Sequence, residues 1–417
     1  MNESKMNELN QTEQVLLDLV ANALFHKQIA VPAHTDWEAV YQEAVKQTVT
    51  AQAYRGIRGN GCILPEDLEG KWKNAVIASY YHNTCVTVDH HYVDEMMRKA
   101  GVPYVILKGC ASASYYPDPM ERTMGDVDFL VRESDLEQAG DILKKEGFIP
   151  WDMEHICHVV YRKDSIHLEM HFKPAGMPYG HAGELAERYL QDVMEQASEI
   201  TYENGTLRFP SPFHHGLILL MHTGHHMLGE GIGLRHLCDW AVFASSFTEE
   251  EFREIFEDRL KAIGLWKFAC ILSRTAEKWL RCPQRAWTEC AEEYLADRVI
   301  EDIFTGGNFG QKKEGRVYET YLISSRGKGG VGHTSMPGQF VKSVNEMIVT
   351  HWPNAGRNKL RLLAGWGYFG IRYAVRICTG KRQPLQPLKI CSAARERKDI
   401  YKEFQLYEGG ERKIERQ

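Results

Sequence analysis

Met124-Gly-Asp-Val-Asp-Phe-Leu-Val131 decides how this 417-residue chain is read. A β-strand turns alternate side chains to opposite faces, so Asp126 and Asp128 project together while Val127 and Phe129 point into a core. Two like charges on one face repel. They are tolerated where a divalent cation neutralises them, and hard carboxylate oxygens suit Mg²⁺ or Mn²⁺. A solvated strand end is the alternative for an isolated Asp-x-Asp, so the neighbouring segments have to arbitrate.

Outward from this stretch the texture is α/β. Val102-Pro-Tyr-Val-Ile-Leu107 is a short β-rich run ending at Lys108-Gly109, and the small residues Cys110 to Ser114 suit a helix packed close to a strand. After the aspartate strand, an amphipathic helix is expected from Asp135 to Glu146 with Gly147 as its C-cap. Two further strands, Cys157 to Arg162 and Ile166 to Phe172, flank the turn Lys163-Asp164-Ser165. Within Ile166-His-Leu-Glu-Met-His171, Ile166, Leu168 and Met170 form an apolar face, and His167, Glu169 and His171 a polar one. If this strand lies beside the aspartate strand, Glu169 completes a three-carboxylate cluster able to hold two divalent ions for in-line displacement at phosphorus. An exposed edge strand is the competing explanation.

Helical periodicity dominates on both sides of this unit. Val15, Leu16, Val20 and Leu24 recur on one face with Thr12 as a helix start, and a long helix is expected after Pro65. The pattern turns helical again after Phe209-Pro-Ser-Pro212. The expected organisation is a helical N-terminal domain (1–100), an α/β core (101–205), a helical domain (206–325), and a Gly-rich connector with a basic helical region (326–417). No apolar run approaches the ~18 residues a spanning helix needs. Ten cysteines without a Cys-x-x-Cys pair, and a polar N-terminus, point to free thiols and a reducing, cytoplasmic setting.

Leu107-Lys-Gly109, Tyr115-Tyr-Pro117, Arg122, Gly125-Asp-Val-Asp128-Phe-Leu-Val131, Gly147-Phe148 and Leu168-Glu-Met-His171 together resemble a bacterial uncharacterised nucleotidyltransferase family of the DNA polymerase β superfamily. The resemblance runs over roughly residues 10 to 245, with His222 and Leu234-Arg-His-Leu-Cys-Asp-Trp240 included. It implies an α+β fold in which a polymerase β-like core, a mixed sheet with helices, is flanked by N- and C-terminal helical domains. It further implies that Asp126, Asp128 and Glu169 are catalytic and hold the metal, two Mg²⁺ ions with Mn²⁺ as a substitute. Lys108, Gly109 and Arg122 would bind the nucleotide, an NTP such as ATP, and an unidentified hydroxyl would receive the NMP. Gly109 would let the backbone approach the triphosphate. The wider superfamily carries Gly-Gly or Gly-Ser at this turn, whereas this chain has Lys108-Gly109-Cys110, so Lys108 is expected to supply a cation instead. A non-catalytic binding or regulatory module of the same fold, and an Asp-x-Asp glycosyltransferase preceded by a Rossmann-like domain, are the rival expectations.

Other signals carry less. Gly327-Lys-Gly-Gly-Val-Gly-His-Thr334 imitates the phosphate loop of ParA-like ATPases, but His333 replaces the required lysine, and a Gly-rich connector is the simpler account. His214, His215, His222, His225, His226 and His236 are dense, yet without zincin spacing they suit packing and an acceptor pocket better than zinc. Arg235 and Asp239 are expected to pair one helical turn apart. Residues 351 to 390 contain Arg357, Lys359, Arg361, Arg372, Arg376, Lys381, Arg382 and Lys389 and no acid, so in a chain of net charge −6 a basic module sits on an acidic body. A solvated face over a core is expected there first, with contact to a membrane surface or to nucleic acid as the alternatives. Gly365, Gly367 and Gly370 argue against a continuous helix.

Overall fold

The computed structural model describes residues 9–152, 157–174, 176–178, 180–312, 316–323, 335–379 and 386–408. The Gly327–Thr334 stretch therefore lies outside the described residues. Three helices open the chain: α1 (Gln11–Phe25), α2 (Trp37–Lys46) and α3 (Thr50–Gly59). Asn10, not Thr12, caps α1, because a capping box closes between Asn10 and Glu13 with bonds of 3.0 and 3.1 Å. The long α4 (Glu66–Ala100) starts after Pro65 as expected. Acids fill its first turn, Arg98 and Lys99 its last, and Gly101 ends it at φ +67°.

The chain then builds a mixed sheet. β1 (Tyr104–Ile106) leads through the single-turn helix α5 (Cys110–Ala113) to β2 (Val127–Val131), and α6 (Leu136–Lys145) to β3 (Ile149–Asp152), β4 (His158–Lys163) and β5 (Ile166–His171). The strand order is β1-β2-β5-β4-β3. β2 and β5 are parallel and the other neighbours antiparallel, and Asp128 stands opposite Glu169 in the register. That adjacency is what the cluster of carboxylates required. Beneath the sheet, Val93, Met96 and Met97 of α4 pack with Tyr104, Ile106, Phe129, Leu168 and Met170 in one core.

After α7 (Gly180–Leu190), β6 (Ser198–Tyr202) and β7 (Gly205–Phe209) form a hairpin, so the boundary expected at 205 falls inside a paired unit. α8 (Pro212–Leu228) and α9 (Leu234–Ser245) begin the helical half. These helices share a second core with α1 to α3, through Leu16, Leu19, Val20, Leu217, Leu237 and Ile300 among others. Polar ties reinforce the joint: Gln47 Nε2 donates to the Ile303 carbonyl at 3.2 Å, and Lys312 pairs with Glu43 at 2.8 Å. The expected 1–100 unit thus contributes to two cores: α1 to α3 and the start of α4, through Leu68 and Trp72, to the helical one, and the end of α4 to the sheet. No described helix is long and apolar enough to cross a membrane.

Candidate active site

Asp128 occupies the second position of β2 and is 4% exposed, whereas Asp126 sits at the bend just before the strand. The loop that delivers them is clamped by Asn83 of α4. Its amide donates to the carbonyls of Met120 (2.7 Å) and Arg122 (3.0 Å) and accepts from the Met124 N–H (3.1 Å). Leu107 N–H bonds the Asp128 carbonyl at 2.9 Å, which carries Lys108 to the same carboxylate; its Nζ lies 2.8 Å from Asp128 Oδ1.

His171 meets Asp128 from the other side. Its Nδ1 faces the Lys173 carbonyl at 3.3 Å, which only accepts, so Nδ1 carries a proton. Nε2 then lies 3.0 Å from Asp128 Oδ1 and 3.3 Å from Glu169 Oε2, and one imidazole edge spans both carboxylates. Burial opposes ionisation of His171, but the bonds to Asp128 and Glu169 outweigh it and raise its pKa. Burial likewise disfavours charge on Asp128, yet Lys108 and His171 hold its carboxyl well below the usual range. Asp126 moves the opposite way: burial, then repulsion from Asp128 and Glu169, raises it. Asp126 therefore holds its proton more tightly than an ordinary carboxyl does.

The carboxylates floor a cleft of ≈ 400 Å³ whose opposite wall comes from α8 and α9, with Leu219, His222, Thr223, His225, His226, Arg235 and His236, and with Phe309 at the rim. His236 Nδ1 accepts the Gly233 N–H at 3.2 Å, and burial beside Arg235 pushes its pKa down to about 3. The neutral ring must then carry its proton on Nε2, a donor with no hydrogen-bond partner among the described residues. Arg235 donates through Nη1 to the Thr123 carbonyl at 2.9 Å, and its buried Nε likewise lacks an acceptor. Buried unpaired donors are costly, and a ligand rich in acceptor oxygens satisfies them.

A family model described as uncharacterised nucleotidyltransferase matches residues 33–281, well over half of the chain. The chain belongs to that family. The match takes in α2 through the helix Trp266–Trp279 and so extends into the helical half beyond residue 245. No curated protein and no solved structure matches the chain.

All six residues that the family resemblance singled out, Lys108, Gly109, Arg122, Asp126, Asp128 and Glu169, line this one cleft. Two are positioned differently from expectation. Arg122 turns its bidentate edge to Asp239, with Nε–Oδ1 at 2.7 Å and Nη2–Oδ2 at 2.8 Å, and Tyr116 adds a third bond at 2.7 Å. Asp239 thus pairs with Arg122 rather than with Arg235, and a bidentate grip of Arg122 on phosphate is closed while that pair stands. Gly109 has φ +57°, and a Cβ there would meet His90 Nε2 at 2.5 Å, so the protein behind it already requires a glycine at this cleft position. Cys110, the departure from the superfamily pattern, points inward to Thr87 and Met124, and burial pushes its thiol up to about 12.

The donor set fits a divalent cation. Asp126 supplies hard carboxyl oxygen, while His158, Glu169 and His171 bring one ligand atom each to within 4.8 Å of one another. Among the described residues this last group is the one with spacing for a shared ion, and the histidines of α8 and α9 do not form another. Imidazole nitrogen extends the range of acceptable ions from Mg²⁺ toward Mn²⁺ and other transition ions. Sequence reasoning missed His158 and Arg235 as cleft residues and His171 as the partner of Asp128, whereas His222, His225, His226 and His236, expected in an acceptor pocket, do line the cleft. For His171 the signal was present in the polar face it shares with Glu169; for Arg235 it was not, because only tertiary packing brings α9 over the sheet.

Proposed function

We propose that the cleft transfers a nucleoside monophosphate from an NTP, with ATP the first candidate, to a hydroxyl of an acceptor, releasing pyrophosphate. The observation that carries this reading is the opposition of a carboxylate floor, Asp126, Asp128 and Glu169, to a wall of unsatisfied donors on Arg235 and His236. A bound Mg²⁺ or Mn²⁺ would polarise the α-phosphoryl group and lower the pKa of the attacking hydroxyl; Asp126, Asp128 and Glu169 would hold it, and because the spacing for a shared ion belongs to His158, Glu169 and His171, the aspartates would have to draw toward Glu169 on binding. The chain's own groups divide the remaining work. Lys108 holds Asp128 in place and presents an ammonium to phosphate oxygens, Arg235 and His236 donate to the triphosphate, and Arg122 braces the loop that carries Asp126 and leads into β2. Glu169, 26% exposed, is placed to accept the proton of the incoming hydroxyl.

A nucleotide-binding module of the same fold is the second reading, favoured by the Lys108–Asp128 ion pair, in which an ammonium already balances the buried carboxylate. The glycosyltransferase alternative needs a Rossmann-like domain before the motif, and α1 to α4 occupy that region. The deciding test is incubation with α-labelled NTPs, Mg²⁺ or Mn²⁺ and a panel of hydroxyl acceptors. Asp126→Asn, which leaves the buried Lys108–Asp128 pair intact, is expected to abolish label transfer. Transfer that persists in both Asp126→Asn and Asp128→Ala refutes the mechanism, and tight NTP binding with no transfer by the wild type selects the binding module.

A further inference from the structure

The basic segment forms a helix whose free side is unlike the rest of the surface. Residues Lys359–Cys378 make a continuous helix of 20 residues despite Gly365, Gly367 and Gly370. Its inner side is partnered: Gly365 is buried against Ile348, Trp366 Nε1 donates to Asn345 at 2.8 Å, and Phe369 packs on His351 with ring centroids 5.3 Å apart. The glycine that was expected to break the helix is what lets it approach its neighbour.

At about 100° per residue, Leu360, Leu363, Ile371 and Val375 fall on one stripe roughly 120° wide, with only the small residues Ala364, Gly367 and Ala374 between them. All four large side chains face solvent, at 74%, 67%, 68% and 54% exposure. Arg361 and Arg372 border the stripe on one side and Lys359 lies beyond the other. No aspartate or glutamate occurs anywhere from 351 to 390. A solvated helix over a core places polar residues on its outer side; this one places its apolar residues there and its cations at the margins, and Leu388, on the next described helix, is 88% exposed as well.

We propose that this stripe lies in the interface of an anionic lipid bilayer, with the helix parallel to the surface. Charge complementarity selects the occupant: cations bordering an apolar stripe meet anionic headgroups while the leucine, isoleucine and valine side chains enter the acyl boundary. A second copy of the chain would set cation margin against cation margin, since the segment holds no acid to answer them. A nucleic acid would leave the stripe in water. The proposal is independent of the nucleotidyl-transfer reading and places that chemistry at a membrane surface only if both hold.

The test is co-sedimentation of the full chain with vesicles of phosphatidylcholine alone and of phosphatidylcholine mixed with phosphatidylglycerol. Binding is expected to the anionic vesicles, to weaken as salt rises, and to fall on the order of 100-fold in Leu363→Gln/Ile371→Gln, whose exposed positions leave the fold unaltered. Equal sedimentation of wild type and double variant, or none with anionic vesicles, overturns the proposal. So does a concentration-dependent dimer that the same two substitutions abolish, or capture by DNA or RNA in preference to the anionic vesicles.

Discussion

Replacing Asp239 with alanine tests whether the Arg122–Asp239 pair is the strut that joins the aspartate loop to α9. The side chains are 5% and 7% exposed, and the carboxylate accepts from Arg122 Nε, Arg122 Nη2 and the Tyr116 hydroxyl. Removing it strands a buried guanidinium, which costs about 3–5 kcal/mol, and leaves a buried hydroxyl unpaired for about 1–3 kcal/mol more. Because both penalties share one cavity they overlap, so a loss of about 4–6 kcal/mol is expected for Asp239→Ala. Arg122→Met alone leaves the carboxylate buried and is expected to cost about 3–5 kcal/mol. The double variant Arg122→Met/Asp239→Leu removes both charges and keeps the volume, so it should recover to within about 1–2 kcal/mol of wild type. The assay is a double-mutant cycle of wild type, Arg122→Met, Asp239→Leu and Arg122→Met/Asp239→Leu, read as urea unfolding midpoints of the full chain. A coupling energy under about 0.5 kcal/mol would refute the strut. The same double variant separates the two roles of Arg122: NTP affinity near the wild-type value fits a brace, whereas a loss of tenfold or more assigns Arg122 to phosphate.

Three further outcomes follow from the same structure. Burial, with Asp118 nearby and Arg55 opposing, pushes Glu121 up to about 7, and its Oε2 has no hydrogen-bond partner among the described residues. A raised folded-state pKa gives stability that is complete below the unfolded value near 4.5 and is lost as pH rises through about 7, so Glu121→Gln should stabilise the chain by ~1–3 kcal/mol at about pH 8 and lose that advantage near pH 5 in thermal melts. Gly109→Ala should cost about 2–4 kcal/mol in urea unfolding, since φ is +57° and His90, bonded to the Val86 carbonyl at 2.7 Å, blocks the new Cβ; Gly125→Ala, where nothing lies within 4 Å, should be near neutral. Cys270 and Cys290 carry sulfurs 2.7 Å apart, so mild oxidation with diamide should close one disulfide, visible as two lost thiols by mass spectrometry, and stabilise the helical half by about 3 kcal/mol, an effect absent from Cys290→Ser.

The sheet was legible because period-two alternation is a local property. Val127 and Phe129 against Asp126 and Asp128, and Leu168 and Met170 against Glu169, needed only the strand geometry to assign faces, and the parallel register then set Asp128 opposite Glu169. The Asn204-Gly205 dipeptide after Ile200-Thr-Tyr202 is a hairpin signal of the same local kind, although the register sets Glu203-Asn204 at the turn and Gly205 opposite Tyr202. β3 carried a weaker one, since Pro150 in an edge strand and a bulge at Pro150/Asp152 blur the pattern. Arg122 and Asp239 had no signature at all. Their separation of 117 residues and the nearer partner Arg235 both pointed elsewhere, and only the packing of α9 over the loop determined which arginine took the carboxylate.

That packing explains why the cleft divides its chemistry between two cores. In the floor, Asp128 and Glu169 are fixed by the backbone register of β2 and β5, and Asp126 by the loop that Asn83 clamps. The wall is fixed by α9, tied to the aspartate loop through Arg122–Asp239 and through Arg235 to the Thr123 carbonyl. A ligand that satisfies Arg235 Nε and His236 Nε2 while meeting Asp126 must therefore span both cores, and its binding free energy resists their separation. Under the nucleotidyl-transfer reading the donors on α9 act on the substrate before and during reaction alike, so their loss should appear chiefly in KM. The carboxylates act on charge that develops at the α-phosphorus, so their loss should appear in kcat. The sheet then sets which reaction is run, and the helical half sets which molecule undergoes it.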